Sequence, residues 1–339
     1  MKIRAAVLAL SSAAGLLSGC GPEPDPPEDR GTRTAEGVAE TSPLLWSSDG
    51  LEILFVGEGG SFYAVSVADQ VIRTIDAGGV TSAALSSDGS MVYFLAMGRA
   101  YRVAVSGGPK ESLTDPSSLV VGILPAPQGS SVAYVVFPDS LFLYDATAGT
   151  HTFIGTGCGA ARAFSPAGDR LLCNSDLVFT LENKSAERLA LDLRTGDMPK
   201  RVRWDTGGLH FVVQAGDGLQ PVIDLLHVES KSRTNIFRAP SESEDLEGLV
   251  YAWSSDGQRV AFWTEFCEQP VLLHACELTR WSLYVAELDS AQRVRASVKR
   301  VAIAKGRALS ARPKKMAFSP DGKTIAYLVE RAIYVKSLP

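Results

Sequence analysis

Four cysteines spaced along the chain, Cys158, Cys173, Cys267 and Cys276, have the most chemistry open to them. Close pairs of thiols oxidise to disulfides in an exported protein, or join histidines around a metal. Cys158 and Cys173 lie on the two arms around a turn at Ser165–Gly168, and Cys267 and Cys276 flank a short excursion. Of the three pairings that four cysteines allow, the local one is expected. A zinc site is the alternative, with His274 beside Cys276, but there is no Cys-x-x-Cys pair and no histidine cluster. The other histidines, His151, His210 and His227, are scattered, and no Gly-x-Ser-x-Gly nucleophile elbow occurs. Gly155-Thr156-Gly157-Cys158-Gly159-Ala160 carries the letters of a dinucleotide loop. No helical pattern follows it, and that loop holds phosphate only in a strand–turn–helix unit. The expectation is therefore no catalytic residue, metal or cofactor.

Charge gives one more candidate. Arg293, Arg295, Lys299, Arg300, Lys305, Arg307, Arg312, Lys314 and Lys315 form a run of nine basic residues with no acidic one between them, in a chain of formal net charge -5. Such a run is either a solvated strand and loop or a surface for an anionic protein, glycan or lipid headgroup. The acidic balance and the export signal described below exclude nucleic acid as the expected partner.

These residues hang on a repeat. Trp46-Ser47-Ser48-Asp49-Gly50 recurs as Leu85-Ser86-Ser87-Asp88-Gly89, as Trp253-Ser254-Ser255-Asp256-Gly257 and, in fullest form, as Phe318-Ser319-Pro320-Asp321-Gly322. Looser copies begin at Leu124, Phe164 and Trp204. A fixed period of about 40 residues marks a repeat architecture. Ser, Pro, Asp and Gly in this order suit a type I turn, and a β-rich run such as Thr324-Ile325-Ala326-Tyr327-Leu328 follows each one. Each repeat reads as four short strands, for example Pro43 to Trp46, Leu51 to Val56, Phe62 to Val67 and Val71 to Ile75. The fold expected is an all-β single β-propeller of seven four-stranded blades, with six as the alternative count. The last repeat lacks a fourth strand, which a segment near Thr32 to Ala39 is expected to supply, so closing the ring.

The N-terminus reads as an export signal over residues 1–20: Lys2 and Arg4, then an apolar run from Ala5 to Leu17 that is too short to span a bilayer. Leu17-Ser18-Gly19-Cys20 resembles the lipobox of bacterial lipoproteins. The resemblance implies that Cys20 is acylated, that the mature chain is membrane-anchored and, with Gly21 following, that it sorts to the outer membrane. Residues 21–42, with Pro22, Pro24, Pro26 and Pro27 among acids, are expected to be a disordered tether, leaving residues 43–339 as the propeller.

The Trp/Phe-Ser-Pro-Asp-Gly turn followed by Ile-Ala-Tyr/Phe resembles the repeat of TolB-type propellers, relatives of WD-repeat proteins. TolB carries a further domain before its propeller, where this chain has the linker, so TolB's partners do not carry over. The function expected is a lipid-anchored, non-enzymatic binding or scaffold propeller of the cell envelope, for protein or glycan interactions. The alternative is a lactonase-like or other hydrolytic propeller whose acids line the central channel.

Overall fold

The structure is a computed structural model. It describes residues 28–76, 78–115, 117–174, 176–191, 193, 198–205, 208–216, 221–238, 244–245, 250–270, 276–289, 298–306 and 312–338. The export signal, Cys20, Arg293, Arg295 and Arg307 lie outside the described residues.

Strand β1 (Thr32–Ala35) comes first in sequence and belongs to the last blade. Blade I is β2 (Leu45–Trp46), β3 (Glu52–Val56), β4 (Phe62–Ser66) and β5 (Ile72–Asp76). Blade II is β6 (Val80–Leu85), β7 (Met91–Ala96), β8 (Arg99–Ala104) and β9 (Glu111–Ser112). Blade III is β10 (Val120–Pro125), β11 (Ser131–Val136), β12 (Ser140–Asp145) and β13 (Thr150–Gly155). Blade IV is β14 (Ala161–Phe164), β15 (Arg170–Cys173), β16 (Leu177–Thr180) and β17 (Ser185–Arg188). Blade V is β18 (Met198–Asp205), β19 (Gly208–Gly216), β20 (Pro221–His227) and β21 (Ser232–Arg238). Blade VI has β22 (Glu244–Asp245) and β23 (Tyr251–Trp253), both on β24 (Arg259–Pro270), then β25 (Cys276–Glu287) and β26 (Lys299–Gly306). Blade VII is β27 (Lys315–Phe318), β28 (Thr324–Val329) and β29 (Ala332–Ser337), with β1 as its fourth strand. The chain is a seven-bladed β-propeller.

The second strand of each blade shows why these sequences fold this way. Ile53, Leu54, Phe55 and Val56 are consecutive and all buried, as are Ile325 to Val329. An uninterrupted apolar run suits a strand covered on both faces, and here each sheet packs between its neighbours. Phe55 and Val65 meet Ala326, Leu328 and Ile333 across the VII–I junction. Leu54, Phe62 and Ala64 meet Val92 and Phe94 across I–II. The core is therefore a ring of inter-blade layers. The fourth strands are the most exposed, with all four residues of β17 open to solvent.

Ring closure is antiparallel, with Thr32 opposite Val335, Arg33 opposite Tyr334 and Ala35 opposite Ile333. Residues 28–42, expected from the sequence to belong to the tether, pack on the ring. Asp29 exchanges backbone hydrogen bonds with Ile303 of blade VI at 3.0 and 2.9 Å. Arg30 donates to the Lys305 carbonyl at 2.6 Å and pairs with Glu330 of blade VII at 2.7 Å. Val38 is fully buried, and Ala39 N–H donates to Val56 O at 2.9 Å in blade I. Residues 28–42 thus clasp three blades. The physical reason is pairing: charged residues that cannot fold alone gain partners on two exposed strand edges.

Candidate functional site

The turn motif builds one face of the ring, called here the motif face. In blade VII the Ser319 hydroxyl donates to Asp321 at 2.6 Å and accepts the Thr324 N–H at 3.0 Å. Asp321 accepts the Lys323 N–H at 3.0 Å, and Gly322, at φ +68°, donates to Ser319 O at 2.9 Å. Ser47, Ser86 and Ser254 repeat the hydroxyl-to-carboxylate bond at 2.6, 2.5 and 2.5 Å. These bonds depress the carboxyls. Asp88 is held at about 2, chiefly by the Ser86 hydroxyl and then by the Ser90 N–H. Asp49 and Asp321 are lowered by the same pair of contacts. In the fourth copy the acid is displaced to Asp169, yet Ser165 still reaches it at 2.6 Å. The third copy keeps the left-handed Gly129 but has buried Ala126 in the serine's place.

On this face adjacent blades are linked all the way round. Trp46 Nε1 donates to Ala317 O at 3.1 Å, and Gly89 lies against Ser48, where a Cβ would sit 2.6 Å from the Ser48 Cβ. Ser87 reaches Gly129 O at 3.5 Å and Gln128 reaches Pro166 O at 3.1 Å. The Arg170 guanidinium lies 4.7 Å over the Trp204 ring, Arg203 donates to Ser254 O at 2.7 Å, and Ser255 to Pro320 O at 2.7 Å. Serine beside a carboxylate resembles an activated nucleophile, but here the hydroxyl is committed to its own turn.

The opposite face, called the far face, carries the second-to-third-strand turns and the connections between blades. It holds the exposed apolar side chains Met97 (85% exposed), Phe137 (62%), Leu119 (53%) and Val121 (45%). They adjoin one another: Val120 N–H donates to Gly98 O at 2.7 Å and Phe137 N–H to Leu119 O at 2.8 Å. Sequence reading missed them, although apolar residues at turn positions are a visible departure from polar loop chemistry. Blade VI also rises on this face, since β24 and β25 have 12 residues each.

Cys158 and Cys173 are joined, with Cα atoms 5.1 Å apart. Cys158 precedes β14 and Cys173 ends β15, so the bond ties the far-face connection of blade IV to its second strand. Cys267 is also disulfide-bonded, while the side chain of Cys276 lies outside the described residues. The basic run is divided. Lys305 pairs with Glu268 at 3.0 Å and Arg312 with Glu265 at 3.6 Å, so both are answered by acids of β24. Lys314 and Lys315 are half-buried at the start of blade VII, and Lys299 and Arg300 are exposed on β26. His274 lies outside the described residues, and the described histidines do not converge on one site. His151 Nδ1 lies 3.0 Å from the Tyr134 hydroxyl, while the His210 and His227 rings meet edge-on in blade V, with centroids 4.7 Å apart. Burial pushes Tyr134 up to about 12. Among the described residues no group of three or more His, Cys, Asp or Glu is placed to hold a metal.

No protein-family model matches this chain. No curated protein matches it. Solved structures do. Oligogalacturonate lyase from Vibrio parahaemolyticus superposes with a TM-score of 0.62 at 13% identity, over 90% of this chain and 93% of that one. An oligogalacturonate lyase in complex with manganese gives 0.63 at 15% identity, over 92% and 96%. The Cps50 (Swd1) β-propeller domain of Myceliophteria thermophila gives 0.60 at 14%, over 92% and 100%. These likenesses are to the propeller fold.

Proposed function

We propose that this chain is an exported propeller, anchored by a lipid on Cys20 to the outer membrane, that acts as a non-enzymatic docking scaffold of the cell envelope. The observation that carries the reading is the commitment of its recurring reactive residues. The serine and aspartate of each intact motif satisfy each other and the turn backbone, which is the role of scaffold rather than of a reacting pair. The lipobox match supports the anchor, the TolB-like repeat supports the envelope setting, and a scaffolding role is consistent with a ring whose fold is shared with the Cps50 (Swd1) β-propeller domain. The partner proposed is an envelope protein or an anionic glycan or lipid.

Fractionation tests the anchor. The wild-type chain is expected to leave membranes only with detergent, and the Cys20→Ala chain to be extractable by buffer alone. A Cys20→Ala chain that still requires detergent overturns lipid anchoring. Because two fold neighbours are oligogalacturonate lyases, the purified chain should also be incubated with oligogalacturonate and manganese. Formation of an unsaturated product would overturn the scaffold reading in favour of an enzyme.

A further inference from the structure

We propose that the far face at blades II and III is a membrane-contact surface whose apolar turn tips enter the interfacial layer of a phospholipid bilayer. The proposal rests on the envelope reading for where the protein resides, while the contact itself is argued from the surface.

Met97, Leu119 and Phe137 are each more than half exposed and stand at turns, with Val121 beside them. Their neighbours hold one another through the Gly98–Val120 and Leu119–Phe137 backbone bonds, so the tips form one patch rather than three strays. Scattered apolar residues need no explanation, but a contiguous exposed patch marks an interaction site. Its shape is convex, since the side chains top turns, whereas sites for small molecules are concave. Its size is small: a standard protein interface engages about 20–30 residues a side. The charges at these turns are mixed, with Arg99 beside Met97, Asp139 beside Phe137 and Asp115 before Leu119, and Lys110 is paired with Asp76 at 3.0 Å. Apolar tips without a groove or a cationic collar suit shallow burial at the boundary of headgroups and acyl chains.

The position of Glu28 agrees. Glu28 accepts the Lys305 N–H at 3.1 Å, near the far-face end of β26 in blade VI. Blade VI stands three blades away from blade III in one direction and three from blade II in the other. Cys20 is eight residues before Glu28, a reach of at most about 29 Å at about 3.6 Å per residue. A lipid there and apolar tips across the ring would hold the far face against the bilayer at two separated points.

The test uses the Cys20→Ala chain, which cannot take a lipid, sedimented with vesicles of phosphatidylethanolamine and phosphatidylglycerol and with vesicles of phosphatidylcholine. Weak binding to both is expected, reversed by dilution into buffer and unchanged by added salt, because shallow insertion rather than charge drives it. Met97→Ser, Leu119→Ser and Phe137→Ser together should weaken partitioning by about tenfold or more, since each buried apolar group contributes to it. Leu51→Ser with Val71→Ser, exposed apolar residues on the motif face, should leave it unchanged. Thermal melts check the fold. If the triple variant melts early, Met97→Ser alone carries the comparison with a smaller loss. No vesicle binding, binding indifferent to the tip substitutions, or tip-dependent capture of an envelope protein without vesicle binding would each overturn the proposal. Because the chain tested is unlipidated, this failure is separate from failure of the Cys20 anchor, which fractionation reads.

Discussion

The two faces of this ring are made differently. On the motif face, four turns use the same serine hydroxyl, the same carboxylate and the same left-handed glycine, and each blade reaches the next. On the far face the described junctions share one backbone bond, from Val38 to Arg331, Val80 to Gly60, Val120 to Gly98 and Cys158 to Asp139, but the side chains around it differ from blade to blade. Blade IV is tied by a disulfide, blade VI projects two long strands, and blades II and III expose apolar tips. Ring closure imposes one geometric demand on every blade, and the motif face meets it with one solution. The far face meets it through backbone alone, which leaves its side chains free to vary, as loops on a rigid scaffold commonly do.

Reducing Cys158–Cys173 should have the largest effect, and it isolates the far face. The bond spans 15 residues, for which chain-entropy reasoning gives about 3 kcal/mol. Both cysteines are fully buried, so the Cys158→Ala/Cys173→Ala variant should lose about that much in urea unfolding. A loss well under 1 kcal/mol would show that the apolar contacts of blade IV with blades III and V suffice to hold it.

Ser319→Ala isolates the motif face. Ser319 is 4% exposed, and its loss leaves the Thr324 N–H without an acceptor, for a cost of about 1–3 kcal/mol at neutral pH. The pH dependence has a definite sign. Carboxyls held low in the fold contribute stability that is complete above their unfolded value of about 3.9. It is lost as pH falls towards their folded values, about 2 for Asp88. Ser319→Ala removes the chief contact lowering Asp321, so the variant has less of this contribution to lose. The gap between wild type and variant should narrow as pH falls through that window. A gap that is constant with pH would mean that the hydroxyl acts on the backbone alone.

The motif face was legible in sequence because its chemistry is local: serine, aspartate and glycine within five residues make the turn, and period makes the ring. Even the degenerate third copy keeps the glycine that its turn requires, φ +71° at Gly129. The closing strand near Thr32 was legible for a related reason, since an unpaired edge at Lys336 demanded a partner. Residues 28–31 were not, because their acids and arginine look like solvated linker until Ile303, Lys305 and Glu330 stand beside them. The apolar tips were hidden likewise. A methionine or phenylalanine one residue past a strand reads as more strand, and only the turn geometry shows that it faces out. The basic run was visible, but the acids answering Lys305 and Arg312 lie on β24, roughly forty residues earlier in the chain.

That leaves the smallest expected effect, which separates charge from insertion. Among the described residues of the basic run, Lys299 and Arg300 are the exposed ones, and they sit at the motif-face end of β26. Lys305, near the Glu28 entry point, is at the other end of the same strand. Exposed charges of this kind contribute within about 0.5 kcal/mol to stability, so Lys299→Gln with Arg300→Gln should unfold like the wild type. If the far face meets the bilayer, these two cations point to the opposite side, and the double variant should bind phosphatidylglycerol-containing vesicles as tightly as its parent at any salt concentration. If the basic run is instead the docking surface for an anionic partner, the same variant should lose binding at low salt and little at high salt, where the screening length falls to about 3 Å at 1 M. The two outcomes assign contact to opposite faces of one ring, and the salt series distinguishes them without further mutation.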